Sequence, residues 1–106
     1  MADKQKTSFR DLINGETPVL IDFFATWCGP CKAYAPILGQ LKEDLGDDLR
    51  LIKIDVDRNE EICQKLRVSS MPTTMIFQNG EMKWKASGVQ PISVLKAELA
   101  KLSIAG

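Results

Sequence analysis

The stretch VLIDFFATWCGPCKAYAPIL, residues 19–38, changes its periodicity across a pair of cysteines. Residues 19–25 are β-branched or aromatic at most positions, the composition of a buried strand, and only Asp22 interrupts them. Beyond Cys31 the spacing lengthens. Ala35, Leu38, Leu41 and Leu45 recur at three- and four-residue intervals, which predicts a helix over residues 31–45. Pro36 lies inside that helix and should bend it by removing a backbone donor, and Gly46 is placed to stop it. Cys28 and Cys31 sit where the strand runs into the helix.

That junction has chemical consequences. A sulfur at a helix start lies near N–H groups that have no partner within the helix, and their partial positive charge favours a thiolate. In Trp27-Cys28-Gly29-Pro30-Cys31 the glycine permits close backbone approach, and the proline is tolerated in a first helical turn because its missing N–H needs no partner there. Cys28 is therefore the attacking sulfur. Cys31, three residues on, is placed to attack a mixed disulfide formed by Cys28 and release the reduced partner, which is dithiol-disulfide exchange. A structural zinc site would require about four ligands, whereas the chain has no histidine and only one further cysteine, Cys63. Cys63 falls on the apolar stripe of a short helix and reads as a small buried hydrophobe.

Asp22 shares a strand face with Leu20 and Phe24. A carboxylate within an apolar layer is expensive to ionise, so its pKa should be raised unless a cation or donors reach it. Six residues before Cys28, it is placed to exchange a proton with Cys31 directly or through water, with Lys53 of the neighbouring strand as an electrostatic partner. The competing reading puts Asp22 at a wet sheet end or in a purely structural hydrogen bond. Trp27 reads as a cover for one side of the sulfurs and a contact for substrate, with simple packing as its alternative. Met71-Pro72 precedes a strand, and its peptide isomer is open from sequence. Gly88 is either a turn glycine or a point of close backbone approach.

Outward from this centre, residues 9–13 suggest a short helix ending at Gly15, and residues 49–56 a second strand parallel to the first. Asp57 or Asn59 is positioned to cap a short helix through Leu66 that turns Ile62, Cys63 and Leu66 inward. Residues 73–78 and 81–86 form a hairpin about Asn79-Gly80. Pro91 opens a last helix with Ile92, Leu95, Leu99 and Leu102 on one stripe. The expected class is a three-layer α/β/α sandwich around a mixed sheet, with residues 1–106 as one domain. The chain has 106 residues, 44% hydrophobic and 26% charged, and its formal net charge is zero, which disfavours a disordered chain or a nucleic-acid surface. The opening MADKQKTSFRD has no apolar run of an export signal and no segment is long enough to span a membrane, so a cytoplasmic location is expected.

The stretch at residues 19–38, with KIDVDRN, MPTTMIFQNGE and Gly88 ahead of the last helix, resembles the thioredoxin family over about residues 9–102. The resemblance implies that Cys28 is an exposed nucleophile and Cys31 the resolving thiol. It makes Asp22 the buried acid or base, with Lys53 its charged neighbour, and gives Trp27, Gly29 and Pro30 the shaping of the active-site turn. Met71, a cis Pro72, Gly88 and Trp27 would receive an extended substrate segment, partly by strand-like pairing. It further implies a monomeric general disulfide reductase with no bound cofactor, charged by a thioredoxin reductase that uses NADPH and FAD. Targets such as ribonucleotide reductase, peroxiredoxin and methionine sulfoxide reductase follow from the same resemblance. Phe24, Met71 and Ser69-Ser70 depart from the common family pattern and bear on partner choice. An oxidising or isomerising relative and a redox-independent binding subunit are the competing functions.

Overall fold

Strand β1 (Val19–Phe24) is the axis of the molecule, and its alternating side chains define two separate cores. A computed structural model of the chain describes residues 8–102, so the opening residues 1–7 read above for targeting, and the outer limits of the expected domain, lie outside the described residues. Helix α1 (Phe9–Ile13) precedes β1 and is capped by the Ser8 hydroxyl, which accepts from the Asp11 N–H at 3.2 Å. Helix α2 (Gly29–Leu45), strand β2 (Arg50–Asp55) and helix α3 (Glu60–Lys65) follow, with short 3-10 turns at Gly46–Asp48 and Val56–Arg58. Strands β3 (Thr73–Gln78) and β4 (Glu81–Ser87) and helix α4 (Ile92–Ala100) complete the order.

The sheet runs β2-β1-β3-β4, with β1 and β2 parallel and the other neighbours antiparallel. Helix α2 supplies the crossover that a parallel pair requires. Asn79 and Gly80 turn the β3–β4 hairpin with positive φ values of 54° and 81°, the pairing that a two-residue turn between right-twisted strands favours. From β1, Val19, Ile21 and Phe23 pack with Met75 and Phe77 of β3, Ile13 of α1 and Cys63 of α3. Leu20 points the other way, to Ile76, to Tyr34, Leu38 and Leu41 of α2, and to Leu95 and Leu99 of α4. Helices thus cover both faces of the mixed sheet, the expected three layers.

The differences from the sequence reading are local. Helix α2 starts at Gly29 rather than at residue 31, because Pro30 fits its first turn and Cys28 serves as its N-cap. Its buried stripe is Cys31, Tyr34, Leu38 and Leu41, one position away from Ala35, which is only half-buried. The helix continues through Pro36, which lies on the exposed side. Strand β2 stops at Asp55, whose side chain accepts from the Asp57 N–H at 2.9 Å and starts a 3-10 turn. Asn59 occupies the N-cap position of α3 without a side-chain capping bond and instead donates to the Asp55 carbonyl at 2.9 Å. Leu102 lies beyond α4, yet it packs against the same core as Leu95 and Leu99.

Candidate active site

At the amino end of α2, Cys28 takes an extended conformation, φ −94° and ψ 113°, and the Cys31 N–H donates to its sulfur at 3.1 Å. The two sulfurs are joined in a disulfide, with the Cα atoms 5.3 Å apart. In this oxidised form both residues are buried, Cys28 being 4% exposed and Cys31 7%. The expectation of an exposed Cys28 and a more hidden Cys31 is thus corrected. The reason is local packing: both join Ala25 in a small cluster against Phe24, Val56 and Met71, and the Cys28 Sγ lies 3.6 Å from the Met71 carbonyl oxygen. A disulfide sulfur has no proton to donate there, whereas the reduced thiol would have one.

The Met71-Pro72 peptide is cis, the isomer the resemblance implies. The Pro72 carbonyl accepts from the Gly88 N–H at 2.8 Å, and the Thr73 hydroxyl donates to the Ser70 carbonyl at 2.6 Å, so this loop is tied to the end of β4 and to itself. Gly88 has φ +88°, a conformation side chains rarely adopt, while a Cβ there would meet nothing within 4 Å. Backbone conformation, not lack of room, requires glycine, and the space above it is open. Trp27 is 67% exposed beside the cysteine turn. Its indole N–H donates to Asp57 Oδ2 at 2.9 Å, which fixes the ring across a gap of thirty residues in sequence. Asp57, read above only as a helix cap, is therefore part of the site's frame, and nothing local in sequence marks it as the partner of Trp27.

Behind the disulfide, Asp22 is 2% exposed and its Oδ1 has no hydrogen-bond partner. In the sheet it stands between Lys53 of β2 and Thr74 of β3. Burial pushes the Asp22 pKa up to about 6, against the opposing pull of the Lys53 cation. Asp22, Cys31, Lys32 and Lys53 line one cavity of about 260 Å³, roomy enough for water between the carboxyl group and the resolving cysteine. Lys53 itself is exposed. Two further groups went unnoticed in sequence: Tyr34 and Thr74, both fully buried, share a hydroxyl hydrogen bond of 2.7 Å on the Asp22 side of the sheet. The heptad-like recurrence of positions 34, 38, 41 and 45 was the available signal for Tyr34. Among the described residues, no three His, Cys, Asp or Glu side chains converge in a way that could hold a metal ion.

The comparisons with known proteins agree with this geometry. The Thioredoxin family profile matches residues 1–101. Over 90 residues the chain is 40% identical to the chloroplastic thioredoxin Y of Oryza sativa subsp. japonica, covering 84% of this chain and 54% of that protein. It is 44% identical over 81 residues to the thioredoxin of Bacillus subtilis, covering 76% of this chain and 78% of the relative. The chain thus spans little more than half the length of the rice relative. Among solved structures, the thioredoxin of Malassezia sympodialis superposes with a TM-score of 0.80 at 36% identity, over 92% of this chain and 84% of that one. Oxidised mitochondrial thioredoxin 3 of Saccharomyces cerevisiae gives 0.80 and 36%, over 89% and 87%. The hydrophobic pattern that set the fold and the cysteine spacing that set the chemistry lead to one conclusion: this chain belongs to the thioredoxin family and is a thiol-disulfide oxidoreductase.

Proposed function

We propose that the protein is a general reductant of protein disulfides, drawing electrons from a thioredoxin reductase whose flavin and NADPH carry the upstream chemistry. The observation that carries this reading is the uncharged turn between the cysteines, which adds no cation to the helix-end N–H groups that a thiolate would meet. One N–H, that of Cys31, donates to the Cys28 sulfur, and the residues between the cysteines, Gly29 and Pro30, bring no charge. A strong oxidant of this kind owes its potential to stabilisation of its dithiol. Weak stabilisation leaves the dithiol ready to give up its electrons.

In the reaction the Cys28 thiolate attacks one sulfur of the target disulfide, forming a Cys28-target bond and releasing one target thiolate. The Cys31 sulfur then attacks Cys28 Sγ, restoring the disulfide seen here and releasing the second target sulfur. Two electrons pass from this protein to the target. Asp22, in its ionised form, takes the Cys31 proton through the shared cavity and returns it to solvent or to the leaving thiolate; Lys53 tunes how readily it does so. Trp27, Met71, Pro72 and Gly88 form the surface on which an extended target segment lies, pairing with the backbone beside Met71. Peroxiredoxin, methionine sulfoxide reductase and ribonucleotide reductase are the target classes this reading extends to. A dithiol that must stay reduced works in a reducing compartment, here the cytoplasm, with the protein acting as a monomer.

The deciding measurement is the reduction potential of the Cys28-Cys31 pair in defined thiol-disulfide buffers. A value near about −270 mV upholds the reductant, and one near about −120 mV makes the protein an oxidant instead. Cys28→Ser should abolish turnover with a model protein disulfide; retained turnover would remove Cys28 from the role of nucleophile.

A further inference from the structure

The Tyr34 and Thr74 hydroxyls carry two hydrogens between them, and their 2.7 Å contact uses one. Both residues are fully buried, so the second hydrogen is shut away from bulk water. Across the strand boundary is the complementary deficit. Thr74 stands directly opposite Asp22 in the antiparallel register of β1 and β3, where facing side chains share one side of the sheet with Cβ atoms about 4.5–5.5 Å apart. Asp22 Oδ1 is buried without a donor. Burial raises the Tyr34 pKa against the pull of its hydrogen bond with Thr74, and the Asp22 charge adds to the rise, so the tyrosine is also within electrostatic reach of Asp22. A spare donor and a spare acceptor thus lie on the same buried side of the sheet, where an unmade hydrogen bond is costly to both.

We propose that the Tyr34-Thr74 pair is a positioning device for Asp22, giving its second hydroxyl hydrogen to Oδ1 through one water, and so holding the carboxylate oriented toward the cavity it shares with Cys31. The proposal rests on the acid-base role assigned to Asp22 above, and it adds to it the groups that hold the ionised form. Lys53 from β2 and Cys31, Lys32 and Tyr34 from α2 are the titratable or charged groups facing Asp22, while β3 presents Thr74 and no ionisable side chain. Tyr34 and Thr74 touch no reacting sulfur. They act through Asp22.

The test is the carboxyl titration of Asp22 followed by 13C NMR in the oxidised protein, with Thr74→Val, Thr74→Ser and Tyr34→Phe beside the wild type. A donor to the carboxylate favours the ionised form, so its loss raises the midpoint. Thr74→Val should move it upward by at least about half a pH unit, a threefold change in proton affinity, and Tyr34→Phe by less. Thr74→Ser should restore the wild-type midpoint even where thermal stability falls. An unchanged midpoint in Thr74→Val, with or without a loss of stability, overturns the proposal and leaves the pair as core packing. Release of mixed disulfide in wild type and Asp22→Asn separates the two ideas. If the midpoints move with the hydroxyl while Asp22→Asn leaves release unchanged, the positioning stands and the proton-transfer role falls.

Discussion

On one face of β1, Val19, Ile21 and Phe23 meet Met75, Phe77, Ile13 and Cys63 with no charged group among them. On the other, Leu20 is followed by Asp22, which faces Thr74 and Lys53 and looks into a cavity shared with Cys31. The two faces belong to one six-residue strand. Because side chains alternate, adjacent residues can serve opposite ends, one face supplying stability and the other holding a group that burial penalises. A buried, partly unsatisfied carboxylate persists beside the disulfide because the apolar face can carry its cost.

The sharpest way to break this contrast is to truncate the apolar face. Phe23→Ala should lose roughly 3–5 kcal/mol of stability in urea unfolding; a loss below about 1 kcal/mol would show that this face does not carry the fold. One residue away the sign reverses. The folded protein holds the Asp22 proton more tightly than the unfolded chain does, so wild-type stability declines as pH rises from 3.8 to about 6. That interval corresponds to up to about 3 kcal/mol. Asp22→Asn should recover much of it at pH 8, and the gain should vanish as pH is lowered below 4. Equal stabilisation at every pH would mean that ionisation is not the cause.

Two smaller effects refine the comparison. The apolar face has a strained edge of its own: just past the Leu66 C-cap of α3, Arg67 has φ 59°, its N–H donating to the Gln64 carbonyl at 3.1 Å and that of Val68 to the Cys63 carbonyl at 2.9 Å. This is the left-handed helix ending that usually takes glycine. Arg67→Gly should therefore stabilise by about 0.5–1 kcal/mol, read as a shift in the urea midpoint; destabilisation would show that the arginine side chain contributes more than its backbone strain removes. On the acidic face, Lys53→Met should raise the Asp22 midpoint above about 6, because the cation holds it down. The change should shrink in high salt, since Lys53 is exposed.

Much of this arrangement was legible in the chain. The apolar run at residues 19–24, the helical spacing from Leu38 to Leu45, and Asn79-Gly80 are local signals, because propensity, periodicity and turn chemistry act over a few residues. The cysteine pair was equally plain, since three-residue spacing at a strand-to-helix junction brings two sulfurs to one helix end. Asp22 stood out as the one charge in an apolar run. Boundaries were less secure: the start of α2 at Gly29 and the end of β2 at Asp55 depend on the Cys28 and Asp55 caps, each a matter of a single hydrogen bond.

Sequence by itself thus determined the layers, the redox pair and the anomaly of a buried acid, all of which are written in short-range pattern. Tertiary structure alone decided what each of those groups meets. Pairing of β1 with β3 brings Thr74 to Asp22 across fifty-two residues, folding of α2 onto the sheet adds Tyr34, and the turn after β2 delivers Asp57 to Trp27. It also buried Cys28 beneath Met71 and set the Met71-Pro72 peptide cis. Contacts between residues so far apart depend on strand register and layer packing, which no local propensity encodes.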